Sequence, residues 1–393
     1  MNIAFNTTIE NPDKPTGSTV FFQKILSELQ RLDHTNQYYL FVSPRNRNLY
    51  RVAKPNFHCI NCFVSNERRL LRNLVSQVVI PIRLWQHKID VYFSPMNISP
   101  FFVLSKAKVI VYLYGTHHWQ KNNGMGMIKT IYRKVLSLCA KLQTSIFIAN
   151  STSCKEDIVR YLRLPESKVR VVSEALDHTL FSPRDLTPAE KELLRNHGIT
   201  EGRYVLFVSM IYYYKNVHTL VDAFGKLCRQ IDHPYDLVLI GRVDVQNTGK
   251  GTYLELLQSL ARKYQVLDRV KFLGYVPHDS LFLFYRGARL FVQPSFYETF
   301  GKPVIEAMAC GIPVVGANVG ATPEVMGGAG LLFDPNDPED MCMKMHRLLT
   351  DEELRQDCGR QGLEHVRQFT FERQASGLMQ AFGAANLSHR SQR

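Results

Sequence analysis

Short apolar runs alternate with stretches of helical spacing along the whole chain. Residues 2–7, 38–42, 89–93, 108–113, 145–149 and 169–172 read as compact strands. Residues 18–32, 130–142 and 151–161 carry helical spacing. In the middle one, Ile131, Val135, Leu138 and Leu142 mark one apolar face. A polar, turn-rich stretch, 10–17, separates the first strand from the first helix. The pattern then restarts. Strands are expected at 204–209, 237–240, 270–272, 290–292 and 313–316. Helices are expected at 217–229, near 253–264, near 279–286, at 302–309 and from 338 onward. This order predicts an α/β protein with parallel sheets covered on both faces.

The two series meet at a proline-containing segment. The expected organisation is a first domain over 1–173, a linker over 174–190, a second domain over 191–370, and a last helix and tail over 371–393. That helix is long enough to cross back to the first domain. Two doubly wound units meeting at a linker create a cleft, and open parallel sheets bind ligands beyond the carboxyl ends of their strands.

The 393 residues are 45% hydrophobic and 21% charged, which suits globular domains and argues against disorder. The net charge of +13 is unevenly placed. Residues 1–189 hold 25 Lys or Arg against 12 Asp or Glu, and the remainder holds 23 of each. Such asymmetry concerns partners: nucleic acid, an anionic membrane surface or an anionic substrate. The start of the sequence does not read as a signal peptide, and no segment reads as a spanning helix, so a cytoplasmic location is expected. The eight cysteines are scattered. Cys59 and Cys62 have metal-type spacing without a second ligand pair, so small buried thiols on a strand are the simpler reading.

The chemistry concentrates in PSFYETFGKPVIEAMACGIPVVGANVGATPEV. Glu298 falls on the loop after a strand. Phe300, Gly301 and Lys302 lead into a helix with Pro303 in its first turn. Free amide hydrogens at that helix start attract an anion, and Gly301 lets a phosphate approach closely. Glu298 can accept hydrogen bonds from sugar hydroxyls, and Glu306 can grip a diol such as a ribose. Two carboxylates bracketing a phosphate cradle suit a nucleotide sugar.

This stretch resembles the retaining glycosyltransferases of GT-B fold, family 4. The likeness rests on Glu298 and Glu306 in their Glu-x7-Glu spacing, and on the surrounding PS, FGKP and EAMACGIPVV. KVRVVSEALD and VKFLGYVPHDSLFLFYRGARLFVQPS extend it, from about residue 149 to 333. The resemblance implies two Rossmann-like domains facing a central cleft. It assigns Glu298 to the transferred sugar and Glu306 to the ribose. In FVSMIYYYKNVHTLVDAF, Lys215 and Asn216 match the family's diphosphate-binding lysine, but Met210 stands where an arginine is usual. Lys302 or Arg242 is a candidate for the missing cation. Gly274, Tyr275 and Val276 match the loop that meets the nucleobase, and Gly17 matches a glycine of the first domain. The family's histidine near the reacting sugar falls on Tyr114, so His117 or His118 is expected to supply that imidazole.

The implied reaction moves a hexosyl group from a nucleotide-diphosphate sugar to an acceptor hydroxyl with retention. GDP-mannose or a UDP-sugar is the expected donor, and cell-envelope polysaccharide or glycolipid assembly the expected setting. No Asp-x-Asp motif stands out at a strand end, so no metal or other cofactor is expected. The basic segment ERRLLRNLVSQVVIPIRLW, with Arg68, Arg69, Arg72 and Arg83, suits an anionic membrane surface or a core helix with a solvated rim. A lipid-linked or glycan acceptor fits the first reading, which makes the protein peripheral on the inner face of the cell membrane. A sugar-nucleotide epimerase or phosphorylase on the same fold is an alternative. A nucleic-acid binder is another, although the chain carries no binding motif of that class.

Overall fold

The computed structural model describes residues 1–8, 17–62, 69–95, 102–103, 105–119, 127–232, 234–243 and 252–387. Two compact units form. One comprises the chain up to Ala175 together with the C-terminal helix from Phe371, and the other runs from Leu176 to Thr370.

The first unit runs β1 Asn2–Asn6, α1 Gly17–Leu32, β2 Gln37–Val42, β3 Phe57–Asn61, α2 Arg69–Gln86, β4 Val91–Ser94, β5 Lys108–Tyr112, α3 Met127–Gln143, β6 Thr144–Ala149, α4 Thr152–Leu162 and β7 Val169–Val171. Its sheet has the order β3-β2-β1-β4-β5-β6-β7. All pairings are parallel, with Ile3 opposite both Tyr38 and Val91. Parallel strands buried on both faces need helices on both sides. One face packs around Phe5, Phe22 and Leu29, the other around Tyr92, Phe147 and Ile158.

The second unit runs α5 Pro188–Asn196, β8 Tyr204–Val208, α6 Val217–Leu227, β9 Asp236–Ile240, α7 Tyr253–Lys263, β10 Val270–Gly274, α8 Leu281–Gly287, β11 Leu290–Gln293, α9 Lys302–Ala309, β12 Val314–Ala317, α10 Thr322–Met326, β13 Leu331–Phe333, α11 Pro338–Thr350 and α12 Glu352–Val366. Its sheet has the order β10-β9-β8-β11-β12-β13, again parallel. The order reverses between β8 and β11, so the loops beyond these neighbours diverge and leave room for a ligand. The segment read as a linker is largely packed here: Leu176, Phe181 and Leu186 are buried in this unit's core.

The last helix, α13 Phe371–Leu387, returns to the first unit as its length suggested. Its inward face is mostly small, with Ala375, Ala381 and Ala385 buried, which lets it lie close against α1. Phe382 is its anchor. The ring meets Phe5 at 5.7 Å and Phe93 at 5.5 Å, both edge-on. Gln374 Oε1 accepts from the Ala175 amide at 3.0 Å, tying the helix to the end of the chain's first pass.

The four apolar residues do share one face of α3, and that face points outward. Ile131, Val135, Leu138 and Leu142 are exposed, and the face toward the sheet carries Ser137 and Ala140 instead. Periodicity located the helix but not the direction in which its stripe points.

Phe382→Ala should cost about 3–5 kcal/mol, because the ring is fully buried and its neighbours belong to the sheet. Urea unfolding followed by circular dichroism checks this. A loss below 1 kcal/mol would show that α13 does not complete the first core.

Candidate functional site

The two loops at the switch point of the second sheet carry the residues singled out by the motif. β8 leads to Lys215, and the neighbouring β11 leads to Glu298. Lys215 Nζ donates to Glu298 Oε1 at 2.6 Å, and the side chains are only 12% and 11% exposed. The same oxygen accepts from Gln293 Nε2 at 2.6 Å and from Ser295 Oγ at 2.8 Å. Burial opposes the charge on Lys215, but the Glu298 carboxylate outweighs it and holds the ammonium above its ordinary value. Lys215 therefore stays a cation throughout the neutral range. An ammonium has three donors, and Glu298 takes one.

Asn216 is engaged within the fold. It sits in the left-handed region at φ 57°, fully buried. Its Nδ2 donates to the Pro294 carbonyl at 3.0 Å and to the Pro335 carbonyl at 2.7 Å. Its Oδ1 accepts from Thr219 Oγ1 at 2.6 Å. With its amide spent on these bonds, Asn216 fixes the Lys215 loop against the Glu298 loop.

Gly301 caps α9 at φ 83°, a conformation open to glycine and costly for other residues. Its own backbone geometry, rather than lack of space, demands glycine: a Cβ there would meet only Val304 at 3.6 Å and Glu298 at 3.9 Å. Lys302 is the first helical residue. The Phe300 side chain is buried in the core, so only its backbone can serve a ligand. The amides at this helix start form the anion-attracting end of the α9 dipole.

Glu306 lies one turn along α9 and is 3% exposed. Its Oε2 accepts from Tyr285 Oη at 2.8 Å, and its Oε1 lies 3.2 Å from His278 Nε2. The ribose grip expected of it thus shares both oxygens with neighbours. At the ends of β9 and β10, the exposed Arg242 sits over the Tyr275 ring at 5.1 Å. Tyr275 is 61% exposed, offering a flat aromatic face, while Gly274 turns at φ 68° and Val276 packs on the core. Met210, in place of the expected arginine, is 40% exposed at the end of β8.

In the first unit, Gly17 opens α1. The turn before it, 10–16, lies outside the described residues, as does Arg68. The side chains of His117, Arg69 and Arg72 are likewise outside them. His118 is described and is 3% exposed. Its Nε2 is 3.0 Å from Ser137 Oγ, whose proton goes to the Arg133 carbonyl at 3.0 Å. The contact ties the short turn 117–119 to α3.

Four residues essential to this geometry were not assigned from the sequence. Gln293 and Ser295 clamp Glu298, and Tyr285 clamps Glu306. Gly320, at φ 60°, lets the loop after β12 reach the Glu298 backbone: the Ala321 amide donates to the Glu298 carbonyl at 3.1 Å. A Cβ on Gly320 would lie 2.8 Å from that same oxygen. The proximity of Gln293 and Ser295 to the motif was a local signal; the other two are set by the fold.

The family described as glycosyl transferases group 1 matches residues 190–365. O-antigen chain mannosyltransferase B of Escherichia coli is 30% identical over 239 residues, covering 60% of each chain. The D-inositol 3-phosphate glycosyltransferase of Thermobifida fusca is 32% identical over 240 residues, covering 60% of this chain and 54% of that one. The chain thus spans about 54–60% of the length of these relatives. Among solved structures, sucrose-phosphate synthase from Thermosynechococcus elongatus superposes with a TM-score of 0.72 at 20% identity, covering 97% of this chain and 98% of that one. Anabaena HepE in complex with UDP and glucose gives 0.71 at 17%, covering 98% and 100%. These structures carry the GT-B glycosyltransferase fold, and this chain shares it.

Gly320→Ala should destabilise the protein by about 2–3 kcal/mol, combining left-handed strain with the clash on Glu298. Gly328→Ala is the control: φ is 84° there, but a Cβ meets nothing within 4 Å. Urea midpoints that fall equally in both variants would show that the Glu298 loop gives way without cost.

Proposed function

We propose that the protein, whose residues 190–365 match the family described as glycosyl transferases group 1, transfers a hexosyl group from a nucleotide-diphosphate sugar to an acceptor hydroxyl with retention. The observation that carries this reading is the Lys215–Glu298 pair at 2.6 Å, standing beside the glycine-capped start of α9. A cation and the positive end of the α9 dipole receive the diphosphate, and a fixed carboxylate beside them receives the sugar. The relative from Escherichia coli is a mannosyltransferase. GDP-mannose is accordingly the first donor to test, ahead of UDP-sugars.

In the proposed reaction the bond from the anomeric carbon to the diphosphate oxygen breaks. The acceptor oxygen bonds to that carbon on the same face. The acceptor proton passes to the departing phosphate oxygen, so charge and atoms balance without a further reactant. Lys215 and the α9 amides stabilise the charge that grows on the leaving phosphate, an effect worth about 3–4 kcal/mol for one well-placed donor. Glu298 orients sugar hydroxyls. Tyr275 stacks on the base, and Glu306 meets the ribose through the space that His278 now occupies beside it. No metal or other cofactor enters this scheme; protein cations carry the diphosphate charge. A glycan or lipid-linked acceptor of cell-envelope polysaccharide assembly suits the basic first unit, and the inner membrane face suits such an acceptor.

A thermal-shift screen of GDP, UDP, ADP and their common sugars, followed by nuclear magnetic resonance of the product, tests this. The expected result is stabilisation by GDP-mannose and an α-linked product. An inverted product would contradict the mechanism. Interconversion of donor epimers without acceptor would favour an epimerase. Lys302→Leu should weaken nucleotide binding about tenfold if Lys302 stands in for the cation absent at Met210. Unchanged affinity would remove Lys302 from the site.

A further inference from the structure

The second unit gathers another set of cations at the end of its sheet opposite the site above. Ala288 and Arg289 lead into β11, and Gly311, Ile312 and Pro313 lead into β12, so this is the amino end of both strands. An open cavity of about 1100 Å³ lies there, walled by these turns and by α12. α9 runs from Lys302 at the first site to Cys310 at this cavity, a helix length of about 12 Å.

Six arginines line the cavity: Arg184, Arg286, Arg289, Arg355, Arg360 and Arg367. Two carboxylates line it with them, Asp185 and Glu364, and Glu364 takes Arg367 at 2.7 Å. Three further carboxylates hold arginines from outside the lining. Glu190 takes Arg184 at 2.8 Å, Asp357 takes Arg360, and Glu352 takes both Arg289, at 3.0 Å, and Arg355. Carboxylates so placed orient the guanidinium forks without filling the space that the forks enclose.

The more buried arginines are the least neutralised. Arg286 has no carboxylate partner among the described residues. It donates to the Ser182 carbonyl at 2.8 Å and the Leu180 carbonyl at 3.0 Å, and it lies over the Phe282 ring at 4.7 Å. Arg355 is 7% exposed, and the Nε of Arg289 is buried without a partner. Arg286, Arg289 and Arg355 thus share one carboxylate, Glu352, which leaves two positive charges over. The carboxyl ends of α8 and α9, at about half a charge each, offset no more than half of that excess. Ile312, Pro313 and Leu363 add apolar surface, and Gln356 and Gln361 add neutral donors.

This lining defines a class of ligand. Planar guanidinium forks match the paired oxygens of phosphate groups. The volume is at the upper end for small-molecule sites and far exceeds a lone inorganic ion. A nucleic-acid strand would need aromatic platforms, and the lining has none. We propose that the cavity binds a small organic molecule carrying two or more phosphate charges, at a site separate from that of Lys215 and Glu298. The inference does not require the transfer reaction.

The test uses inorganic pyrophosphate as probe and the full chain carrying Lys215→Gln, in which the other anion-attracting site is weakened. Hydrogen–deuterium exchange read by mass spectrometry tells the two places apart. Pyrophosphate should slow exchange over 352–366, and calorimetry should show it binding at least tenfold more tightly than orthophosphate. Arg289→Gln should weaken that binding about tenfold, the effect of losing one charged hydrogen-bonding group. Arg289→Lys, which keeps the charge and loses the fork, should weaken it about threefold. Arg360→Gln, at a side chain 80% exposed and so harmless to folding, should also weaken it about threefold. Unchanged exchange over 352–366 overturns the proposal. So does an affinity that both Arg289→Gln and Arg360→Gln leave intact, or orthophosphate binding as tightly as pyrophosphate. Protection by a glutamate-rich peptide and not by pyrophosphate would overturn it too, and would assign the cavity to an acidic protein segment.

Discussion

A single buried ion pair sets the terms for the second unit. Lys215 and Glu298 lie 83 residues apart and meet because β8 and β11 are neighbours where the strand order reverses. Taking two charges out of water is costly, and attraction repays it only when further hydrogen bonds complete the geometry. Gln293 and Ser295 supply those bonds to Glu298, and Asn216 locks the two loops together. A pair so held is a poor device for stability alone, since apolar residues of like size would serve as well. Its placement at the carboxyl ends of parallel strands, beside the glycine-capped start of α9, is what the proposed donor site rests on: a fixed cation next to a fixed acceptor.

The chain divides its chemistry between two parallel sheets of similar design. The second unit holds slightly more carboxylates than cations and places its charged groups individually, each with a named partner. The first is strongly basic and makes its character from accumulated charge and outward apolar stripes. Local electrostatics of the first kind are geometric and resist salt. Those of the second kind act over a Debye length, about 8–10 Å, and weaken with salt.

Much of this was legible in the sequence because the signals were local. Strand ends, glycines and prolines around Glu298 and Gly301 lie within a few residues of one another, so the strand, loop and helix start there could be read from spacing. Alternation of strands and helices was similarly local, and gave the α/β class. What could not be read depended on direction or distance. The stripe on α3 has the period of a core face, and only the packing of Ser137 and Ala140 shows that it turns outward. His118 has the chemistry of a reactive imidazole, and only its burial against Ser137 shows its present task. Asn216 sits in a motif position, yet its bonds to Pro294 and Pro335 span 78 and 119 residues. Gly320 contacts Glu298 across a sheet crossover that no spacing rule specifies. Met210 was visible as a departure, and it is the point where the cation pattern differs from the one expected.

The most direct measurement compares nucleoside diphosphate with monophosphate by titration calorimetry, in wild type and in Lys215→Gln. If the Lys215 ammonium and the α9 amides hold the diphosphate, GDP binds wild type at least tenfold more tightly than GMP, and the variant loses most of that difference. Equal affinity for the two nucleotides in wild type, or a difference that survives the loss of Lys215, would contradict the account.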